Sequence, residues 1–474
     1  MNKQNRLFEP FIIVLSTVIV LMVLSHFDTA FTVGPFKLKR IKLVSDILTA
    51  KEVPQLSDQS LPNPHADSVL RIDSLSPGLK DTGKKSKYSG IIQYHRGDSI
   101  GGLIHFFEAL EGSINNGKKT RIAYFGDSMI ESDMISQELR NLLQKKIGGN
   151  GVGFVPVTSI TANVRKTINH AFSDNWQKYH LLQATSPQHS LGISGYVFEP
   201  AYFNSPSDQT GDDGSWVKYS TVAKPGLDKF HNIKLYYGNN AGDNYVYFQQ
   251  KSAKLSGTKP VNELVLNQDT AIQHILINFE CQSVVNVFGF SFENDSGVYV
   301  DNYSFRGNTG LVLTKIPYPV LSGLNEYLNY DLIILQYGVN VIRAEVTDFS
   351  WYERGMVNVV KYLQRCFPKS SFLLISAGDK SYRIEEKYVT DPSVQLVVEV
   401  QKKVAEKTGI AFWNLYESMG GYNSMVKWVE GDTVLAAKDY THLNARGANK
   451  IGTLLYRHLT KNYEVYSRNK TKKS

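Results

Sequence analysis

A serine that follows a short apolar run is the first candidate for chemistry in this sequence. The run 122–125 precedes Gly126-Asp127-Ser128, and a segment with apolar residues at helical spacing follows at 133–147. This pattern predicts a buried parallel strand, a tight turn and a helix. Ser128 then lies at the carboxyl end of a strand, where open α/β sheets bind their ligands. A serine there can act as a nucleophile if a base and an oxyanion site reach it.

Groups that could assist Ser128 follow other predicted strands. The strongly apolar run 331–336 leads into a glycine turn that ends at Asn340, which offers an amide side chain. Another predicted strand ends just before Gly307, whose backbone N–H could point at a developing oxyanion. Asp439 stands three residues before His442, ahead of the last predicted helix. A carboxylate at this spacing can fix the imidazole tautomer, so that the other ring nitrogen takes the serine proton.

The four motifs resemble those of the SGNH or GDSL-type hydrolases, esterases whose blocks supply Ser, Gly, Asn and His in this chain order. The resemblance implies that Ser128 is the nucleophile and that His442 is the general base, oriented by Asp439. It also implies an oxyanion hole formed by the backbone N–H groups of Ser128 and Gly307 and by Nδ2 of Asn340. No metal and no organic cofactor are implied.

A more specific likeness is to the peptidoglycan O-acetylesterase-like branch, which acts on O-acetylated cell-wall glycans. In that branch a short acidic stretch, a helix and a GxGF turn follow the serine, as GVGF does here at 151–154. A Met-Gly-Gly turn upstream of the histidine motif also recurs, here at 419–421. Some members carry an inserted sandwich that resembles a carbohydrate-binding module. The resemblance covers about 94–459 and implies an acylated polysaccharide or peptidoglycan as substrate.

Two of these motifs occur twice in the sequence. The second Gly-Asp-Ser, at 97–99, follows polar residues and precedes a predicted helix, so Asp98 or Ser99 is expected to cap that helix. The second Asp-x-x-His, at 228–231, precedes a predicted strand and is expected to be a surface turn. The order of the motifs relative to the strands therefore favours Ser128 and His442.

The remaining patterns indicate an α/β fold with an insertion. Strands and helices alternate on both sides of a region of short alternating strands, which is typical of a three-layer αβα parallel sheet interrupted by an antiparallel β-sandwich. The predicted parts are a signal anchor at 1–27, a linker at 28–90, the first part of the hydrolase domain at 91–163, the inserted sandwich at 164–297, the second part of the hydrolase domain at 298–460 and a basic tail at 461–474.

The N-terminal apolar stretch predicts a membrane anchor. Residues 11–24 with their flanking phenylalanines approach the roughly 17 to 20 residues that cross a bilayer. Lys3 and Arg6 precede the stretch, and no small-residue cleavage pattern closes it. We therefore expect an uncleaved single-pass helix in the cytoplasmic membrane, with its N-terminus inside and the catalytic domain on the periplasmic or extracellular side.

The composition limits the classes of partner that the protein is expected to bind. The formal net charge is +8, but residues 457–474 carry six Lys or Arg against one Glu, so the body of the chain is nearly neutral. This distribution argues against a nucleic-acid partner. Cys281 and Cys366 lie in apolar surroundings and are expected to be buried free thiols, with no metal-ligand spacing near them.

Three functions stay open at this stage. The main expectation is an esterase that removes O-acetyl or similar small acyl groups from a cell-wall or surface polysaccharide through an acyl-serine. A polysaccharide O-acetyltransferase would use the same Ser and His, and a catalytically inactive glycan-binding anchor protein is the alternative from another class. In the sandwich, Trp216 and the tyrosines 236, 237, 245 and 247 are compatible with a sugar-stacking face or with sheet packing.

Overall fold

The computed structural model describes residues 90–94, 102–183, 189–201, 214–240, 242–266 and 270–471, and two short strands nearer the N-terminus. Those two, β1 (Thr32–Val33) and β2 (Phe36–Lys37), form an antiparallel pair in a separate unit, 1–80. The predicted membrane anchor at 11–24 and the second Gly-Asp-Ser at 97–99 lie outside the described residues. Within the described ranges, no helix is long and apolar enough to cross a membrane.

The elements of the second unit follow one another along the chain. The first half contains β3 (Ile91–Gln93), α1 (Ile104–Asn116), β4 (Lys119–Gly126), a 3-10 segment (Ser128–Asp133), α2 (Met134–Ile147), β5 (Gly153–Val155), β6 (Asn169–Phe172), β7 (Gln177–His180), β8 (Tyr196–Glu199), β9 (Ser215–Ser220), β10 (Asn232–Tyr237), β11 (Asn244–Phe248), β12 (Lys251–Lys254), β13 (Asn262–Val265), β14 (His274–Cys281) and β15 (Val287–Glu293). The second half contains β16 (Gly297–Ser304), a 3-10 turn (Leu311–Lys315), α3 (Tyr318–Leu328), β17 (Leu332–Gln336), α4 (Ser350–Cys366), β18 (Ser371–Ile375), β19 (Ser381–Ile384), β20 (Lys387–Thr390), α5 (Ser393–Thr408), β21 (Ala411–Trp413), α6 (Leu415–Met419), α7 (Ser424–Glu430) and α8 (Ala445–Thr471).

A six-stranded sheet forms the middle layer, in the order β16-β4-β17-β18-β21-β3. All neighbouring pairs are parallel except the edge strand β3, which runs antiparallel to β21. Successive side chains of β4 face opposite sides, as a strand requires. Ile122 and Tyr124 pack with α1, α2 and α8, whereas Ala123 and Phe125 pack with α3, α4 and α5. The mixed α/β, three-layer architecture expected from the sequence is therefore present, with one antiparallel edge.

The sandwich is built from two antiparallel sheets. Their orders are β13-β10-β15-β8-β7, with β5 on β15, and β12-β11-β14-β9-β6. Residues of β14 alternate between exposed and buried along all eight positions, so one face of this strand lies in the sandwich core. Strand β5 joins the sandwich although it precedes the predicted boundary at 164, because its residues pair with β15.

The aromatic residues of the sandwich divide between its core and its surface. Tyr236 and Tyr237 are buried and therefore serve packing. On the outer face, Asn278 of β14 pairs with Trp216 on one side and with Tyr247 on the other, and Tyr247 is 39% exposed. Of the two alternatives, sheet packing is therefore the role of Tyr236 and Tyr237.

A buried charge network ties the sandwich to the catalytic sheet. Arg121 of β4 is 1% exposed. Its Nε donates to Asp301 Oδ2 of β16 over 2.8 Å, and its Nη1 donates to Glu293 Oε2 of β15 over 2.6 Å. Nη2 reaches Ser291 Oγ over 2.7 Å. One guanidinium, with its planar fork of donors, therefore bridges strands of both sheets.

The last helix is longer than expected. A basic tail is expected at 461–474, but the helix continues into it as far as Thr471. Tyr463 and Tyr466 stand three residues apart, and both rings contact Phe107 of α1. Side chains at this spacing share one helix face, so the aromatic pair extends the helix along α1.

Candidate active site

Ser128 stands at the carboxyl end of β4, as its sequence position predicts. The carboxylate of Asp127 accepts a hydrogen bond from Met129 N over 2.9 Å and so caps the 3-10 segment that begins at Ser128. Gly126 has no room for a side chain, because a Cβ there would lie 2.8 Å from Ile130 and 3.0 Å from the carbonyl oxygen of Gln336. The turn therefore presents a half-buried serine at the edge of the sheet.

His442 reaches Ser128 from the opposite end of the chain. Its Nε2 lies 2.8 Å from Ser128 Oγ, and its Nδ1 lies 2.7 Å from Asp439 Oδ2. The other oxygen, Asp439 Oδ1, accepts from the backbone N–H groups of Thr441 and His442, each over 3.0 Å. With Nδ1–H donating to Asp439, Nε2 is free to accept the serine proton.

The pKa of Asp439 is below its usual value. Partial burial acts in the opposite direction, but it is outweighed by the hydrogen bonds from the backbone and imidazole of His442 and from the backbone of Thr441. Asp439 therefore remains a carboxylate, the form that accepts from the imidazole.

The turn that carries His442 is held by a hairpin that the sequence analysis did not predict. Tyr440 has a positive φ of 54°, a conformation that side-chain-bearing residues seldom adopt. Its ring stacks on Tyr388 of β20 at 3.6 Å with an angle of 7° between the planes, and its hydroxyl donates to Glu430 over 2.6 Å. Its carbonyl oxygen accepts from Ser381 N of β19 over 3.0 Å. These contacts fix the backbone between Asp439 and His442.

Gly307 lies beside Ser128 in the cleft. Its φ is +74°, which glycine adopts without a steric cost, and a Cβ there would meet nothing within 4 Å. In the part of the chain that the structure describes, the backbone N–H groups of Gly307 and Ser128 donate to no protein acceptor. Both therefore remain available for the oxyanion, as the resemblance implies.

Asn340 also lines the cleft, but its amide is already engaged. Nδ2 donates to Asp127 Oδ2 over 3.2 Å and to the carbonyl oxygen of Asn308 over 3.0 Å. Both amide hydrogens are used, so donation to an oxyanion requires Asn340 to give up or share one of these bonds. The role of Asn340 as an oxyanion donor stays a prediction.

Asp127 contributes more than the sequence suggested. Its side chain is fully buried, and burial raises its pKa to about 7, although the hydrogen bond from Met129 N–H acts in the opposite direction. It is therefore a carboxyl group poised near neutral pH and in contact with Asn340. In the sequence, only its position next to Ser128 indicated that Asp127 belongs to the site.

The cleft that contains these groups is open and has a volume of about 670 Å³. Three cationic side chains also line it, from Arg306, Arg343 and Lys380. Arg306 is paired with Glu131, with 2.6 Å between Nη2 and Oε2. Among the described residues, no group of three or more His, Cys, Asp or Glu side chains is arranged to hold a metal ion.

Fold and geometry together define a three-layer α/β protein with a Ser-His-Asp arrangement at the carboxyl ends of its parallel strands. No family model matches the sequence, and no curated protein matches it. Among solved structures, a peptidoglycan O-acetylesterase superposes with a TM-score of 0.63 and 20% identity, covering 79% of this chain and 99% of that chain. The chain has the fold of that protein, and the predicted resemblance is confirmed at the level of the fold.

Two further structures overlap less completely. An acetyl xylan esterase has a TM-score of 0.26 and 19% identity, with 34% of this chain and 80% of that chain covered. A family two carbohydrate esterase from Clostridium thermocellum, as an active-site mutant, has a TM-score of 0.27 and 9% identity, with 60% and 98% covered.

Proposed function

We propose that the chain is a membrane-anchored, extracytoplasmic serine esterase that removes O-acetyl groups from a cell-wall or surface polysaccharide. One observation carries the proposal above the others. Ser128 Oγ lies 2.8 Å from His442 Nε2, while Asp439 holds the other ring nitrogen, inside an open cleft. A serine, a base and an orienting carboxylate at these distances are the arrangement that nucleophilic ester hydrolysis needs.

The reaction begins with attack of Ser128 Oγ on the ester carbonyl carbon. His442 Nε2 accepts the serine proton, and the imidazolium is stabilised by Asp439. When the tetrahedral intermediate collapses, the bond between the carbonyl carbon and the sugar oxygen breaks, and His442 returns the proton to that oxygen. Water, deprotonated by His442, then attacks the acyl-serine and releases acetate and free Ser128.

The developing oxyanion is stabilised by the backbone N–H groups of Ser128 and Gly307, which have no competing acceptor in the described residues. Nδ2 of Asn340 joins them by giving up its bond to Asp127, the longer of its two hydrogen bonds at 3.2 Å. Loss of one such donor typically lowers kcat by about 10²- to 10³-fold.

A polysaccharide substrate is supported by the shared fold with a peptidoglycan O-acetylesterase and by the openness of the cleft. A polymer can enter a cleft from the side, which a closed small-molecule pocket does not allow. The membrane location rests on the apolar stretch 11–24 alone.

The first experiment measures hydrolysis of a chromogenic acetyl ester by the full-length protein in mild detergent. Ser128→Ala is expected to lower kcat by at least ~10⁴-fold, because the nucleophile is lost. Ser99→Ala, in the other Gly-Asp-Ser, is the matched control and should retain native activity. Activity that survives in Ser128→Ala would reject the proposal.

The second experiment identifies the acyl acceptor. The protein is incubated with O-acetylated peptidoglycan and with O-acetylated xylan, and both free acetate and acetyl transfer to an added unacetylated glycan are measured. Stoichiometric acetate supports hydrolysis. Acetyl groups that appear on the acceptor glycan would replace the esterase proposal by a transferase.

A further inference from the structure

A second pocket adjoins the catalytic cleft where the sandwich meets the catalytic sheet. Glu131, Ser132 and Arg306 line both spaces. The pocket has a volume of about 90 Å³, whereas about 10–15 Å³ is enough for one buried water. It therefore has room for the polar edge of a ligand that extends out of the catalytic cleft.

Ser194, just before β8, is a buried hydroxyl that lines this pocket. The residue is 9% exposed, and among the described residues its Oγ has no hydrogen-bond partner. A buried polar group without a partner is costly, and such groups are uncommon in folded proteins. A ligand that offers a hydroxyl or amide in the pocket would supply the missing partner.

The charged groups around the pocket are partly paired. Asp133 is paired with Arg140 and with Arg165, the latter at 3.3 Å, and Glu131 is paired with Arg306 at 2.6 Å. Lys178 also lines the pocket, so the lining carries three cationic side chains against two acidic ones and has a small excess of positive charge.

The rim adds apolar surface to the polar lining. Ile160 lines the pocket and is 74% exposed, and the half-buried ring of Tyr196 lies on the sandwich side. The lining also includes the hydroxyl side chains of Thr158, Ser159, Thr161 and Ser304. Apolar surface beside several hydroxyls matches a sugar ring, which has apolar C–H faces and a polar edge.

We propose that this pocket is a sugar subsite, which binds the ring next to the ring that carries the ester. The inference rests on the proposed function, because the acylated ring must occupy the cleft beside Ser128. The sandwich then acts directly in substrate selection: β8 and the loop after β5 supply one wall of the subsite, and the 3-10 segment supplies the other.

The test compares substrates of different length on the full-length protein. Chemically O-acetylated chito-oligosaccharides of one, two and three rings are used beside the chromogenic acetyl ester. The native protein is expected to show a kcat/KM about tenfold higher for two rings than for one. In Ser194→Ala the ratio of kcat/KM for two rings to kcat/KM for one ring should be about fivefold smaller, because one neutral hydrogen bond is lost. The change should be in KM.

A matched control and a blocking variant complete the design. Ser113 is also a buried serine, but it lies on α1 and does not line the pocket, so Ser113→Ala should keep the full gain. Ser194→Leu fills the pocket and should abolish the gain. Each variant should retain native activity on the chromogenic ester, which also shows that it is folded.

The outcomes separate this inference from the proposed function. If the native protein shows no gain from a second ring, or if Ser194→Ala and Ser113→Ala lose the gain equally, the subsite is rejected while the esterase stands. If the native protein does not hydrolyse the chromogenic ester, the proposed function itself fails. Equal loss on the chromogenic ester and the two-ring substrate in Ser194→Ala would indicate a structural role and reject the subsite.

Discussion

Asn340 Nδ2 donates a hydrogen bond to Asp127 Oδ2 over 3.2 Å, and this bond joins the turns that follow two neighbouring strands, β4 and β17. One turn presents Ser128 and the other presents the side-chain amide of Asn340. The acceptor is a fully buried carboxyl group whose pKa burial raises to about 7. The position of the Asn340 amide is therefore coupled to the ionisation of Asp127.

The first prediction concerns the pH dependence of stability. The folded-state pKa of Asp127, about 7, is above the value of about 3.9 in an unfolded chain. Its contribution to stability is fully present below the unfolded pKa and is lost as the pH rises through the folded pKa. The Asp127→Asn protein does not have this pH-dependent loss. Its free energy of unfolding, relative to that of the native protein, should therefore increase by on the order of 4 kcal/mol between pH 4 and pH 8.

Urea unfolding at pH 4, 5, 6, 7 and 8 provides the measurement, as the difference between the two proteins at each pH. Because both proteins contain all the other carboxylates, the contributions of those groups to the free energy of unfolding cancel in the difference. Asp174→Asn makes the same change at an exposed position and is the control for the loss of one carboxylate. A flat difference curve for Asp127→Asn would contradict the raised pKa.

The second prediction concerns Asp439. Asp439→Asn should lower kcat for a small acetyl ester about 100-fold with little change in KM, because the imidazole loses the carboxylate that fixes its tautomer. The loss is smaller than the ~10⁴-fold effect at a fully buried triad carboxylate, since the side chain of Asp439 is half exposed. Steady-state kinetics across pH provide the measurement.

The other Asp-x-x-His motif offers a matched control for this substitution. Asp228 precedes His231 at the same spacing but lies in the sandwich, before β10. Asp228→Asn should have native kcat and KM. An unchanged kcat in Asp439→Asn would mean that the bond to His442 Nδ1 does not orient the base.

The sequence was sufficient to predict the features that depend on local patterns and on their order. The strand, turn and helix around Ser128 are set by an apolar run, a glycine and helical spacing, all within about thirty residues. The proximity of Ser128, Asp439 and His442 followed from placing each motif at a strand end or before the last helix. The catalytic roles assigned to these residues stay predictions.

The features that were missed depend on contacts between distant segments. Strands β19 and β20 have only four residues each, and their role is visible only in the stacking of Tyr388 on Tyr440. The extension of α8 depends on Phe107, more than 350 positions earlier in the chain. The occupied amide of Asn340 likewise depends on two residues from other turns.

The third prediction tests the hairpin. Tyr388→Ala removes the ring on which Tyr440 stacks, so the turn that carries His442 loses a contact worth about 0.5–1.5 kcal/mol. We expect kcat to fall about tenfold, because small displacements of a catalytic group are costly. Tyr388→Phe keeps the ring and should retain native kcat. Equal activity of the Ala and Phe variants would show that stacking does not position the histidine.

The fourth prediction concerns the attachment of the sandwich. Arg121→Met leaves Asp301 buried without the guanidinium that pairs with it, whereas Glu293 keeps its ion pair with Lys119. Removing one partner of a buried ion pair typically costs about 3–5 kcal/mol, because the remaining charge is uncompensated. We expect urea unfolding to show a loss of this size.

Arg468→Met makes the same chemical change at an exposed position. Arg468 contacts Glu464 one turn away, 3.6 Å apart, with both side chains largely in solvent. Exposed pairs of this kind contribute little, so this variant should unfold at the native urea concentration. If Arg121→Met also unfolded there, the network would not hold the two sheets together, and the sandwich would have to be retained by apolar packing alone.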